Sequence, residues 1–349
     1  MPDINERMAT CPLKQYIREH LWETYIAKLN KKPIKYLTLY CPPLTDVKHF
    51  TRKGYINFNN NTYQGVVGVT LPDKPDDPNG NESAYAQTIS EGKGRLELLS
   101  IGYLNKLITS KNKELLDQFP FDVINLDYCD HIFGDVSTDD LSDNLLDIEQ
   151  IIKQQARKNV SQFVIFITTR TDKHSSQQNQ GFAQSFVDNL SNRIQRNINQ
   201  DDKFKSKYNT IFNNLTVRQL HTQKYNDFIS IGIVKLVLME LADKGYGISD
   251  CDISFLTRDG SQPILDLLHL ALFISRYTGT QRQTLSQYGR VSYYERGSGI
   301  VLDKVRDNKI ISISERTNRS GLETQYGLYL KELREDTFEI RPPTPISET

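Results

Sequence analysis

Two rhythms of apolar residues run along this chain, one at helical spacing and one in short continuous or alternating runs. Behind Pro12, the residues Leu13, Tyr16, Ile17, Leu21, Ile26 and Leu29 recur at helical spacing, with Trp22 beside the stripe, and Lys31-Lys32-Pro33 ends the segment. Residues 34–41 then read as a first strand, stopped by Pro42-Pro43, and 44–50 begin a short helix with Thr45 or Asp46 near its cap. Residues 65–70 are a second strand, followed by a Pro-, Asp-, Asn- and Gly-rich loop over 71–82. A short third strand falls at 96–101, and Tyr103, Leu107, Leu115 and Leu116 fit a helix leading to Pro120. Phe121, Val123, Ile124 and Leu126 form a fourth strand that stops abruptly at Asp127.

Beyond it, Ser137 or Thr138 caps an amphipathic helix carrying Leu141, Leu145, Ile148 and Ile152 on one face, with acids in its first turns and Lys153, Arg157 and Lys158 in its last. Residues 162–170 hold a continuous apolar run, Phe163 to Ile167, the signature of a strand buried on both faces of a sheet. In 171–228, Phe182, Phe186, Leu190, Ile194 and Ile198 predict one helix and Phe204, Tyr208, Ile211, Phe212 and Leu215 a second. Residues 229–242 are apolar all round, a deeply buried helix stopped by Gly245 and Gly247. Strands at 251–257 and 263–274 close the pattern across an Asp259-Gly260 turn, although the later half of the second also fits a helix.

Strands alternating with helices predict an α/β fold with a doubly wound, mostly parallel sheet ending in an antiparallel hairpin strand. The implied division is a helical lead-in over 1–33, an α/β domain over 34–274 with 171–228 as a helical insertion, and a C-terminal extension over 275–349. Pro342-Pro343-Thr344-Pro345 reads as a disordered tail.

Composition narrows the function classes. With 43 basic and 43 acidic residues the net charge is zero, so no global field draws the chain to nucleic acid or anionic membrane. Cys11, Cys41, Cys129 and Cys251 include no C-x-x-C pair, which suits reduced thiols in the cytoplasm. No apolar run approaches the roughly 18 residues of a membrane span. The one local excess lies in 276–319, where nine basic residues face four acidic ones and Tyr277, Tyr288, Tyr293 and Tyr294 interleave. That stretch is a candidate surface for nucleic acid or for a protein partner.

Candidate chemistry centres on Asp127 and Tyr128. In open α/β sheets the carboxyl ends of the strands form the ligand crevice, so Asp127 either orients a substrate amine or caps the turn that follows. Asp122 reads as a solvated strand start. The nine acids of 121–150 read as a solvated, dipole-favoured face rather than a magnesium site. Cys129-Asp130-His131 falls short of the four ligands zinc requires. His20, His49, His174, His221 and His269 show no partner spacing.

The order of elements over roughly 34–274 resembles the class I S-adenosylmethionine-dependent methyltransferase family, whose seven-stranded Rossmann-like sheet ends in a reversed strand. Phe121-Asp122-Val123-Ile124-Asn125-Leu126-Asp127 resembles its fourth-strand motif and 163–169 its fifth strand. The chain is also similar to bacterial proteins of this fold found among antiphage-defence genes. The resemblance implies S-adenosylmethionine as cofactor, Asp127 and Tyr128 at the reacting centre, and cofactor contacts at Cys41, Pro42, Asp46 and Asp73. The chain departs from the family's pattern at the turn Cys41-Pro42-Pro43-Leu44-Thr45-Asp46, which lacks glycine. It departs again at Thr70, which stands where an acid is expected, and at Tyr128-Cys129-Asp130 after Asp127. Two functions follow: methyl transfer to nucleic acid or another macromolecule, or a catalytically inactive binding or scaffold subunit of the same fold.

Overall fold

A central mixed sheet organises the molecule, with helices on both of its faces. The structure is a computed structural model. It describes residues 12–40, 44–73, 80–128, 143–170, 180–200, 202–258, 265–277, 301–304, 307, 311–314, 321, 326 and 329. Among these, strands β1 (Tyr36–Leu39), β2 (Asn57–Asn59), β3 (Thr62–Thr70), β4 (Arg95–Ile101), β5 (Val123–Asp127), β6 (Gln162–Arg170), β7 (Tyr246–Arg258), β8 (Leu265–Arg276) and β9 (Ile311–Ser314) share one sheet. The strands β4, β3, β1, β5 and β6 lie side by side and parallel. Next comes β8, antiparallel to β6, then β7, antiparallel to β8, and last β9, parallel to β7. The short β2 pairs antiparallel with the start of β3.

Alternation along each strand divides the core in two. Leu37, Ile124, Leu126, Phe163, Ile165 and Ile167 point to one face. There they meet helices α7 (Asp143–Arg157), α8 (Gln180–Gln200), α9 (Asp202–Phe212), α10 (Val217–Gln223) and α11 (Tyr225–Asp243). Tyr36, Val123, Val164 and Phe166 point to the other face. That face is covered by the first helical segment and by α3 (Thr45–Arg52). Burial on both faces is why β6 reads as an unbroken apolar run from Phe163 to Ile167, and why β5 is apolar but for Asn125 up to its end at Asp127.

The first helical segment has three parts: α1 (Pro12–Ile17), a π-helical turn (Arg18–Trp22) and α2 (Glu23–Lys28). It runs antiparallel to β5. Lys14 reaches Asp127 at the strand's carboxyl end, and Lys31, just past the helix, reaches Asp122 at its amino end, at 2.6 and 2.8 Å. Trp22 stacks on Phe166 with ring centroids 4.9 Å apart. Leu21, Trp22, Tyr25, Ile26 and Leu29 are all buried there. Such side chains contribute about 1.5–3 kcal/mol each on burial, enough to anchor this half of the segment firmly.

Several expectations shift in detail. The second strand starts at Thr62, because the Asn60-Asn61 turn, with both φ values positive, folds β2 back on β3. The loop expected over 71–82 gives way at Asn81 to α4 (Asn81–Ser90). The helix expected over 103–116 is two short ones, α5 (Leu104–Thr109) and α6 (Lys113–Asp117). The first closing strand is longer than expected, the second ends two residues later at Arg276, and β8 is strand throughout, since Gln162–Arg170 on one side and β7 on the other fix its whole length. In the 171–228 region α8 and α9 fall where the spacing put them, with α10 added after a Thr216–Gln219 capping box. Gly232 of α11 lets Leu190 of α8 seat against it, since a Cβ there would lie 2.4 Å from Leu190 Cδ1. The Asp259-Gly260 turn, Cys129-Asp130-His131, the Ser137/Thr138 cap and most of 276–319 lie outside the described residues. Among the described residues no helix is long and apolar enough to cross a membrane.

Candidate functional site

The carboxyl ends of β5 and β6 place Asp127 beside Thr168, because β5 and β6 pair in register there. The same row continues to His269 on β8 and Ser254 on β7, again by direct pairing. Residues paired across a sheet point to one face, so the four polar groups form a line beneath the first helical segment. That segment answers with Lys14 and Arg18, both buried, while the buried Gln15 turns to His49 of α3 at 3.0 Å.

Asp127 is the anion of this cluster. Lys14 Nζ donates to its Oδ2 at 2.6 Å, and the two side chains are only 6% and 19% exposed. Burial pushes the Asp127 carboxyl up, but the Lys14 ammonium, its hydrogen bond, and smaller effects of His269 and Arg18 outweigh it. The carboxyl is therefore held below the ordinary aspartate range. The other oxygen, Oδ1, is buried with no hydrogen-bond partner among the described residues. His269 sits 2.7 Å from the Thr168 hydroxyl through Nδ1, and its edge faces Trp22. Burial, with Lys14 and Arg18, drives its pKa down to about 3 against the opposing pull of Asp127, so the ring is neutral. His269 Nε2 and Ser254 Oγ are also buried without partners among the described residues.

Tyr128 does not join Asp127. One residue further along, it faces the opposite side of the sheet, where its hydroxyl donates to the Asn144 carbonyl at 3.1 Å and to Asp147 Oδ2 at 3.3 Å. Burial first, and Asp147 second, raise its pKa well above the ordinary tyrosine value, which keeps the phenol protonated. Asp147 also accepts the Asn105 N–H, so Tyr128 ties β5 to α5 and α7.

Asp46 is likewise occupied. Its Oδ2 accepts from Tyr36 Oη at 2.5 Å, Asn125 Nδ2 at 3.1 Å and Thr38 Oγ1 at 3.2 Å, binding α3 to β1 and β5. Asp73 caps α4, accepting the Glu82 and Ser83 N–H groups at 2.9 and 2.8 Å and the Ser83 hydroxyl at 2.6 Å. The Ser83 hydroxyl foremost, against slight burial, holds this carboxyl below its usual value. Cys41 and Pro42 lie outside the described residues. Asp122, read as a solvated strand start, instead accepts the Lys35 N–H at 2.8 Å as well as Lys31.

Sequence reasoning passed over Lys14, Thr168, Ser254 and His269. Only His269 carried a signal, as a titratable residue inside the otherwise apolar stretch 267–274. Among the described residues, no three His, Cys, Asp or Glu side chains converge as a metal requires.

The fold and this crevice define a mixed α/β protein with a buried polar cluster at the strand ends. Residues 97–246 match the model of a family described as PP_RS20740-like. The matched stretch runs from β4 through α11 to the first residue of β7. It therefore contains Asp127, Thr168 and the helices of 180–223, but not Lys14, His269 or Ser254. No curated protein matches the chain.

Proposed function

We propose that this is a methyltransferase-fold protein whose strand-end crevice serves binding or scaffolding rather than methyl transfer. The fold half of that reading is supported by strand order. From β4 through β3, β1, β5, β6 and β8 to β7, only β8 runs against the rest, which is the reversed-strand pattern of the Rossmann-like methyltransferase sheet; β2 and β9 are additions. The observation that carries the functional half is the Lys14–Asp127 ion pair. The carboxylate best placed for chemistry is neutralised by the chain's own ammonium, and the helix supplying it covers the sheet above β5 and β6. Asp46 and Asp73, the acids expected to hold cofactor, accept donors from the chain itself.

An active S-adenosylmethionine-dependent methyltransferase is the second reading. It is favoured by Asp127 Oδ1, which has no partner among the described residues and is an acceptor that could orient a substrate amine. Calorimetric titration with S-adenosylmethionine separates the two. The binding reading expects no heat in the wild type; a saturable isotherm that Asp127→Ala abolishes would establish the transferase reading in its place.

A further inference from the structure

The geometry points to a hinged cover: α1 lifts about the π-helical turn and exposes Asp127, Thr168, His269 and Ser254 as a binding site for a ligand bearing a primary ammonium group, whose place Lys14 holds in the closed chain. The inference rests on the binding reading only in taking the crevice as the ligand side.

Three observations carry it. First, the two halves of the helical segment differ in what they contact. The rear half buries Tyr25, Ile26 and Leu29 in an apolar core, joined by Leu21 and Trp22 at the end of the turn. The front half sets Lys14 on Asp127 at the end of the polar row and Gln15 against His49 of α3, with Ile17 as its buried apolar member. Second, the row beneath the front half is under-satisfied. Asp127 Oδ1, His269 Nε2 and Ser254 Oγ are buried without partners among the described residues, and the last two residues are 2% and 0% exposed. Buried polar groups in native proteins are nearly all paired, so three unpaired atoms along one row mark a place where a further polar group belongs. A half-satisfied polar contact is also weaker than an apolar one of equal area. Third, the irregular turn Arg18–Trp22 lies between the two halves, and such turns inside helices are common at functional sites.

The ligand class follows from what fills the site now. Asp127 is the row's only anion, and a primary ammonium on a four-carbon stem occupies it at 2.6 Å. A ligand ammonium in that position would keep the charge paired. Its remaining polar atoms would find a hydroxyl and an imidazole nitrogen in Ser254 and His269.

Two measurements test this. In the wild-type protein, amide hydrogen exchange followed by mass spectrometry is expected to show residues 12–17 exchanging at least about tenfold faster than 23–28, as independently opening units do. Equal rates in the two halves would overturn the hinge whatever the ligand. In Lys14→Ala, n-propylammonium, which reproduces the three missing carbons and the charge, is expected to raise the thermal midpoint saturably. Tetramethylammonium at the same concentration should not, and neither ion should act on Lys14→Ala/Asp127→Asn. A shift common to both ions, a shift persisting without Asp127, or no shift would overturn the ammonium site. A saturable S-adenosylmethionine isotherm would refute the binding reading yet leave both of these results standing. The exchange measurement needs only the wild-type chain, so an unfolded variant does not remove the test.

Discussion

Replacing Lys14 by Met removes an ammonium while keeping most of the side chain's volume, and it leaves Asp127 a buried carboxylate with no compensating charge at 2.6 Å. Exposed ion pairs are worth about 0–1 kcal/mol, whereas breaking a buried pair by removing one partner typically destabilises by about 3–5 kcal/mol. With side chains 6% and 19% exposed, this pair belongs to the buried class. The expected loss near neutral pH is therefore about 3–5 kcal/mol. Urea unfolding followed by fluorescence measures it directly, because Trp22 is the only tryptophan and stacks on Phe166 beneath the same helix. Asp127→Leu in the Lys14→Met background removes the stranded charge and should recover much of the loss.

The pH dependence supplies a second, sharper expectation. In the wild type the folded Asp127 pKa is depressed, so its contribution is present above the unfolded value of about 3.9 and lost as pH falls through the folded one. In Lys14→Met burial becomes the dominant influence and raises the folded pKa above the unfolded value. The variant then loses stability as pH rises through that window. The gap between wild type and variant should be widest near neutrality and narrow towards about pH 4. A loss below about 1 kcal/mol near neutral pH, or a gap that does not change with pH, would refute the assignment of Lys14–Asp127 as a buried, mutually dependent pair.

The acids at the other strand ends give parallel expectations. Asp46→Asn weakens three hydrogen bonds made to one oxygen, including that of the fully buried Tyr36. It should lower stability by about 2–3 kcal/mol in urea; an unchanged midpoint together with a lost ligand would make Asp46 a binding residue instead. Asp73→Ala should accelerate hydrogen exchange across 81–90 without moving the global midpoint. Gly80→Ala should do the same, because its Cβ would lie 2.1 Å from Asp73 Oδ1 and displace the cap. The two changes combined should add nothing, and additive effects would place the Gly80 defect elsewhere.

How far the chain could be read in advance depended on whether a residue's surroundings were local. The strand β6 and the helix α11 were legible because burial on all sides forces uninterrupted apolar runs. The helices α8 and α9 were legible because apolar residues recur at helical spacing on one face. By contrast, α4 has no buried residue, so no apolar stripe announces it; what holds it is a cap from Asp73 and the Tyr85 hydroxyl accepting the Leu96 N–H. The second half of β8 was ambiguous because a continuous apolar run fits a buried helix as well as a central strand, and only pairing with β6 and β7 decides between them.

The site shows the same limit more severely. Strand order put Asp127 at the crevice, and that much followed from Phe121 to Leu126. Its partner lies 113 residues away on a helix that pattern alone assigned to a separate lead-in, and Lys14 stands in that helix like any other polar residue. Likewise, the pairing that sets Asp127, Thr168, His269 and Ser254 in one row joins four strands through three registers, none of them visible in local spacing. The alternation that separates Tyr128 from Asp127, however, was implicit in the sequence. Two adjacent residues on a strand cannot face the same crevice, so an Asp-Tyr pair at that strand end could act together only if the strand ended between them. The Tyr128 N–H bonded to the Thr168 carbonyl shows that the extended pairing continues one residue too far for that.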